Sequence, residues 1–195
     1  LSNELYKPGN GLAFRKKFVI SPERPVLIHI GRVAHEKNIG CLLQMVDILR
    51  QSVPDLLFII AGEGPAQKHL VGMVKSLGLQ HHVQFTGNLD RDTELLDCYR
   101  AGDVFVFGSR TETQGLVLLE AMAQAVPVVS IAELGTIDIL HNCKGAIVSP
   151  EDTHTFAARV KTLLSNREMR QQLADDAHIY AQTRSARHFA EKTIR

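Results

Sequence analysis

Six short apolar runs recur along the chain: VLIHI at 26–30, LLFIIAG at 56–62, VQFTG at 83–87, VFVF at 104–107, PVVSI at 127–131 and GAIV at 145–148. A strand with one wet face alternates apolar and polar residues, because successive side chains point to opposite sides. These runs do not alternate, so both of their faces must be covered. Between them lie stretches of helical period. Ile39, Leu42, Leu43, Val46 and Leu49 mark one apolar face between Asn38, a candidate cap, and about Ser52, and Pro65 suits the first turn of the next helix. Strand, turn and helix, repeated, predict an α/β fold, an open doubly wound parallel sheet with helices on both faces. After Pro150 the pattern is helical throughout. Asp152 or Thr153 caps a helix to Leu164, a second covers Arg167 to about Thr183, and Ser185 starts a third that reaches Arg195.

Bulk properties narrow the class. The 195 residues suffice for one domain with a real core, and 45% hydrophobic with 22% charged residues is globular usage. A formal net charge of +1 gives no global attraction to nucleic acid or to an anionic membrane. Cys41, Cys98 and Cys143 are scattered, without CxxC or Cys/His clustering, which suggests the reduced thiols of a cytosolic protein. No apolar run approaches the ~18 residues that span a bilayer, and the start lacks a signal-peptide pattern. The chain begins at Leu1, so we expect a processed chain or an excised domain.

In doubly wound sheets, ligands bind where strand ends meet helix N-termini. The richest such place is Asp103 to Val128, a buried strand, a polar turn and a helix entered at Gly115. Ser109, Thr111, Thr113 and Gln114 crowd the turn, Glu112 stands in it, and Glu120 follows eight residues later. The helix N-terminus suits a phosphate, and the two carboxylates could accept sugar hydroxyls on either side of it. On the plainer reading Glu112 is a surface loop residue and Glu120 an exposed helix position favoured by the dipole. After the first strand, Arg32 and Lys37 flank a turn and could clamp a diphosphate; as loop charges they would simply be solvated. Gly62-Glu63-Gly64 is not the dinucleotide fingerprint, since Gln67 stands where its third glycine belongs. Asp90-Arg91-Asp92 could hold a divalent metal, but Asp90 stands where a helix from Thr93 needs an acidic cap, and that reading is preferred. No histidines pair at metal-ligand spacing, so no metal site is expected.

The blocks GRVAHEKN, AGEGP, VQFTGNL, YRAGDVFVFGSRTETQGLVLLEAMAQAVPVV and GAIVSPED resemble, in order, those of retaining GT-B glycosyltransferases, specifically glycosyltransferase family 4. Glu112 and Glu120 match the family's Glu-x7-Glu motif, with Gly115 between them. The resemblance implies a Rossmann-like donor-binding domain over 26–166, with helices over 167–195 packed on it. Residues 1–25, punctuated by Pro8, Gly9, Gly11, Pro22 and Pro25, would be a lead-in from a first, acceptor-binding domain preceding Leu1. It further implies a nucleoside diphosphate sugar, UDP-, GDP- or ADP-linked, as donor, a glycan or lipid acceptor, and no metal or other cofactor.

By the same resemblance, Arg32 and Lys37 neutralise the leaving diphosphate, Glu112 contacts donor-sugar hydroxyls and Glu120 holds the ribose. Gln114, Gly115, Leu116 and Val117 form the backbone run that meets phosphate and sugar, and Phe85, Gly87 and Leu89 surround the base. Thr113-Gln114 resembles members that act on lipids, which implies work at the inner face of the membrane with peripheral association. Leu134-Gly135-Thr136-Ile137-Asp138 departs from the family's usual Gly-Gly-x-Pro-Glu. Two alternatives stay open. One is a GT-B sugar-nucleotide 2-epimerase, which an epimerised donor formed without acceptor would reveal; the other is a non-catalytic nucleotide-sugar-binding module.

Overall fold

Each apolar run forms a strand of one sheet in the computed structural model, which describes residues 3–112, 114–131, 135–140 and 143–193. The strands are β1 (Val26–Ile30), β2 (Leu57–Ala61), β3 (Val83–Gly87), β4 (Val104–Phe107), β5 (Val128–Ile131) and β6 (Ala146–Ser149). All of them pair in parallel. Their order across the sheet is β3-β2-β1-β4-β5-β6, the order of a Rossmann fold. The chain winds outward from β1 to β3, crosses back to lay β4 beside β1, and winds outward again to β6.

Non-alternating strands are explained by two cores. On one face, Val26, Ile28 and Ile30 of β1 and Phe105 and Phe107 of β4 pack with residues of α4 (Leu95–Ala101), α5 (Leu116–Ala123) and α8 (Arg167–Thr193). On the other, Leu27, Val104 and Val106 pack with α2 (Ile39–Leu49), α3 (Gln67–Ser76) and α7 (Thr153–Ser165). A connection between parallel strands must cross the sheet, so helices fall on both faces and the central strands are mostly apolar, while the edge strand β3 keeps Gln84 and Thr86 half-buried. The short helix α6 (Gly135–Leu140) lies between β5 and β6.

The residues before β1 are integral to the first core. Phe14 of α1 (Gly11–Lys17) and Ile20 are buried in it. Gln124, itself buried, joins this segment to the end of α5. Its Oε1 accepts from the Gly9 amide at 3.0 Å, and its Nε2 donates to the carbonyls of Leu5 and Lys7.

Helix boundaries correct two expectations. Ser185 does not begin a separate helix, because α8 runs unbroken to Thr193. Its stretch contains no proline or glycine, and a serine inside a helix costs only a few tenths of a kcal/mol. At the other end, α3 begins at Gln67, two residues beyond Pro65. Thr113, Leu134 and Arg195 lie outside the described residues. Asp152, one of the two candidate caps, is the residue that caps α7, its side chain accepting from the Thr155 amide at 2.6 Å.

One polar residue lies within the β1 run. His29 is fully buried; its Nδ1 sits 3.2 Å from the Val106 carbonyl and its Nε2 has no partner. Burial pushes its pKa down from 6.5 to about 4, so the ring is neutral and donates from Nδ1 to Val106. A depressed histidine contributes stability that is complete above 6.5 and lost as the pH falls towards 4, because the unfolded chain takes up the proton first. Between pH 7 and pH 5 this amounts to about 2 kcal/mol, from ~1.36 kcal/mol per pH unit. We predict that urea unfolding at those two pH values shows this loss in the native chain, and that His29→Asn, which can keep a donor to Val106, removes most of it. Equal pH slopes in the two proteins would rule His29 out as the group responsible.

Candidate functional site

Two loops leave the sheet side by side, one after β1 and one after β4. Ser109 is buried at the end of β4, and its hydroxyl donates to the Glu36 carbonyl at 3.3 Å, which ties the loops together. A single 3₁₀ turn, His35–Lys37, then brings Lys37 inward. Asn38 does not cap α2 with its side chain as expected. It adopts a left-handed conformation with φ 53°, its own carbonyl accepts from the Cys41 amide, and its side chain donates to Glu151 at 3.0 Å. The backbone turn, not the side chain, starts this helix.

Lys37 meets Glu112, with Nζ 2.8 Å from Oε2. The other oxygen of Glu112 accepts from the amides of Gln114 at 3.2 Å and Gly115 at 3.1 Å. Glu112 is therefore not a free surface residue. Burial raises its pKa, but the hydrogen bonds from Lys37, Gly115 and Gln114 outweigh burial and hold it below the ordinary 4.5. The chain enters α5 through Gly115 at φ 58°, where an added Cβ would stand 2.4 Å from Ile139 Cδ1. Glycine alone satisfies both the left-handed backbone and the close packing.

Glu120 is one turn into α5, and its exposed-surface reading is overturned, for it is only 7% exposed. The Tyr99 hydroxyl donates to its Oε2 at 2.8 Å, and Arg91 Nη2 reaches its Oε1 at 3.1 Å. Glu120 faces a cleft of about 670 Å³, lined also by Arg32, Glu63, Asn88, Leu89, Leu116 and Val117. Arg32 is exposed there, with no ion-pair partner among the described residues.

Part of the cleft wall is main chain, at Gly31 and Gly62. Added Cβ atoms would stand 2.0 Å from the Gly31 carbonyl oxygen at Gly62, and 2.3 Å from that of Val33 at Gly64. The two glycines seen in the sequence thus let the loop after β2 lie directly on the loop after β1. Between them, Glu63 accepts from the Asn88 side chain at 3.1 Å.

The expected residues do not all converge on one surface. Arg32, Leu89, Leu116, Val117 and Glu120 share the cleft, while the Lys37–Glu112 pair joins it through the start of α5 at Gly115. Phe85 packs against the core on the far face instead. Gly87 pairs with Gly62 through a backbone hydrogen bond of 2.8 Å. Of the Asp-x-Asp pair, Asp90 Oδ1 accepts from the Thr93 hydroxyl and amide, both at 2.9 Å, and from the Asp92 amide at 3.0 Å. These bonds, that of the Thr93 hydroxyl foremost, hold its pKa below the ordinary aspartate value. Asp90 is the cap of the turn leading to α4. Glu63, Arg91 and Tyr99 escaped the sequence reading; Tyr99 lies 21 residues from its partner, a spacing no local pattern encodes.

The depressed Glu112 contributes stability that is complete above pH 4.5 and lost as the pH falls through its lower folded value. We predict that Lys37→Met raises the Glu112 pKa measured by carboxyl ¹³C NMR, because burial stays and the strongest opposing bond goes. An unchanged titration would show that the pair does not set the charge of Glu112.

The family described as Glycosyl transferases group 1 matches residues 12–179. The chain is 36% identical over 154 residues to sulfoquinovosyl transferase SQD2 of Arabidopsis thaliana, covering 77% of this chain and 28% of that protein. It is 30% identical over 156 residues to alpha-D-kanosaminyltransferase of Streptomyces kanamyceticus, covering 80% and 40%. The chain thus spans less than half the length of these relatives. In fold, it superposes on Anabaena HepE, solved in complex with UDP, with a TM-score of 0.84 at 22% identity, over 100% of this chain and 55% of that one. The C-terminal domain of LpcC from Francisella tularensis gives 0.81 at 21% identity, covering 94% and 97%. A shared Rossmann-like architecture, a site at the β1 and β4 strand ends, and a family match over most of its length together show that this chain belongs to the group 1 glycosyl transferases.

Proposed function

We propose that the cleft binds a nucleoside diphosphate sugar and that the chain is the donor-binding half of a retaining GT-B glycosyltransferase of family 4. The observation that carries this reading is the placement of Glu120. A carboxylate is costly to bury unless its oxygens are bonded; Tyr99 and Arg91 bond this one while it faces a cleft beside a helix start and the exposed Arg32. That combination suits a ribose diol next to a diphosphate. The UDP held by the structural neighbour HepE supports a nucleotide in the same fold.

On this reading Arg32, Lys37 and the first amides of α5 meet the diphosphate, and Glu112 accepts hydroxyls of the sugar. The bond between the anomeric carbon and the diphosphate oxygen breaks as the acceptor oxygen bonds to that carbon from the same face. The acceptor proton passes to the departing diphosphate. Glu112, tied to Lys37 and two amides, is poorly placed for a base and well placed to orient the sugar. The protein's chemical work is electrostatic stabilisation of the leaving group, ~3 kcal/mol for each preorganised donor.

A glycan or lipid acceptor would be held by a further domain, and the unpaired thiols of Cys41, Cys98 and Cys143 suit a reducing compartment. No helix among the described residues is long and apolar enough to cross a membrane, so work on a lipid would require peripheral attachment.

Thermal-shift and calorimetric titration of UDP-, GDP- and ADP-sugars against this chain test the reading. Stabilisation by one class is expected, unchanged by excess EDTA because cations and a helix terminus carry the charge. In the complete enzyme, Arg32→Ala and Lys37→Ala should each lower kcat at least tenfold with the fold intact, up to about a hundredfold for a full donor. Absence of nucleotide-sugar binding, or loss of activity on chelation with recovery in magnesium or manganese, would overturn the assignment.

A further inference from the structure

We propose that Tyr99 is a positioning residue of the nucleotide site, its buried hydroxyl fixing Oε2 of Glu120 so that Oε1 is presented to the ribose. This rests on reading Glu120 as the ribose carboxylate. Tyr99 is fully buried on α4, its ring 5.8 Å from that of Phe105 in the core beneath β4. Packing alone would be served by phenylalanine, whereas a buried hydroxyl is tolerated only when bonded. Its two acceptors within reach both belong to α5 and both line the cleft as residues: Glu120 Oε2 at 2.8 Å and the Val117 carbonyl at 3.4 Å. A phenol has one proton to give, and the shorter, charged acceptor takes it. Burial and the neighbouring Glu120 push the Tyr99 pKa well up, so the hydroxyl stays a donor at any working pH.

The two oxygens of Glu120 are held very differently. Oε2 is bound from the interior by a side chain that cannot move without disturbing the core. Oε1 is met from the solvent side by Arg91, whose side chain is 74% exposed. Glu120 itself is buried, but the guanidinium end of the pair lies in solvent, where a long side chain can swing aside. A hydroxyl pair arriving in the cleft can displace or join Arg91 at Oε1, while Tyr99 keeps the carboxylate from rotating. Tyr99 thus spends a buried hydrogen bond on orientation, the preorganisation that makes a polar contact effective.

The test measures Kd by calorimetry for UDP, GDP and ADP and for their 2′,3′-dideoxy counterparts, reading the tightest pair. In the native chain, loss of the diol should weaken binding about tenfold or more. Tyr99→Phe should weaken the ribose nucleotide about fivefold, leave the dideoxy form within about twofold, and so collapse the discrimination. Glu120→Gln should collapse it as well, and adding Tyr99→Phe to that variant should change it by less than about twofold. A Tyr99→Phe protein that keeps the native ratio overturns the proposal while leaving the site reading intact. A native chain that binds none of the three, or a Glu120→Gln variant that keeps the ratio, overturns the site reading itself and this proposal with it. Should Tyr99→Phe fail to fold, ¹³Cζ-tyrosine labelling of the native chain decides. With only three tyrosines, the Tyr99 signal should shift with the ribose nucleotide and far less with the dideoxy form; a signal that neither moves overturns the proposal.

Discussion

A doubly wound sheet has one place where its connections cannot cover its own strand ends. Here the chain winds away from β1 towards β3 and away from β4 towards β6, so the loops after these central strands face each other across an open crevice. The Lys37–Glu112 pair, Glu120 and Arg32 gather there. Lys37 comes from the β1 loop, Glu112 from the β4 loop, and Glu120 from the helix that follows it. Distant parts of the sequence become neighbours because the topology leaves them uncovered, and only then do their side chains select what binds.

Charge at this crevice is arranged in layers. Lys37 and two amides converge on Glu112, which keeps that carboxylate ionised despite its burial. Glu120 is handled differently, between a core phenol and a surface guanidinium. Arg32 stands exposed at the rim of the cleft. One acid is therefore locked into the loop structure, the other is held from the core by Tyr99 and from solvent by Arg91, and the positive charge most accessible to an incoming anion comes from Arg32 and the start of α5.

The two-sided burial of the sheet was legible in the sequence, because LLFIIAG and VFVF leave no polar position for a wet face. The turn at Glu112 and the helix entry at Gly115 were legible too, as a polar turn followed by a glycine-entered helix. Other features depend on contacts that sequence separation hides. The burial of Glu120 needs Tyr99 and Arg91 from the preceding strand–helix unit. The side chain of Phe85 packs against the α2–α3–α7 core, a placement set by strand register, since one residue's shift would turn it to the other face. Asn38 kept its place at the head of α2, but a positive φ turned its side chain to Glu151 instead. Propensity identifies which residues can cap; the local dihedral decides which one does.

The glycines at 62 and 64 press one loop's backbone onto another, so at these two points a side chain cannot be introduced without parting the loops. Substitution there shifts the backbone itself. The rim, by contrast, is made of side chains such as Glu63, Asn88, Leu89 and Arg91, each replaceable without moving the surface beneath. A fold built this way separates what must hold still from what can drift. What the cleft prefers to bind can therefore diverge by rim substitutions alone, along mutational paths that never pass through an unfolded ancestor.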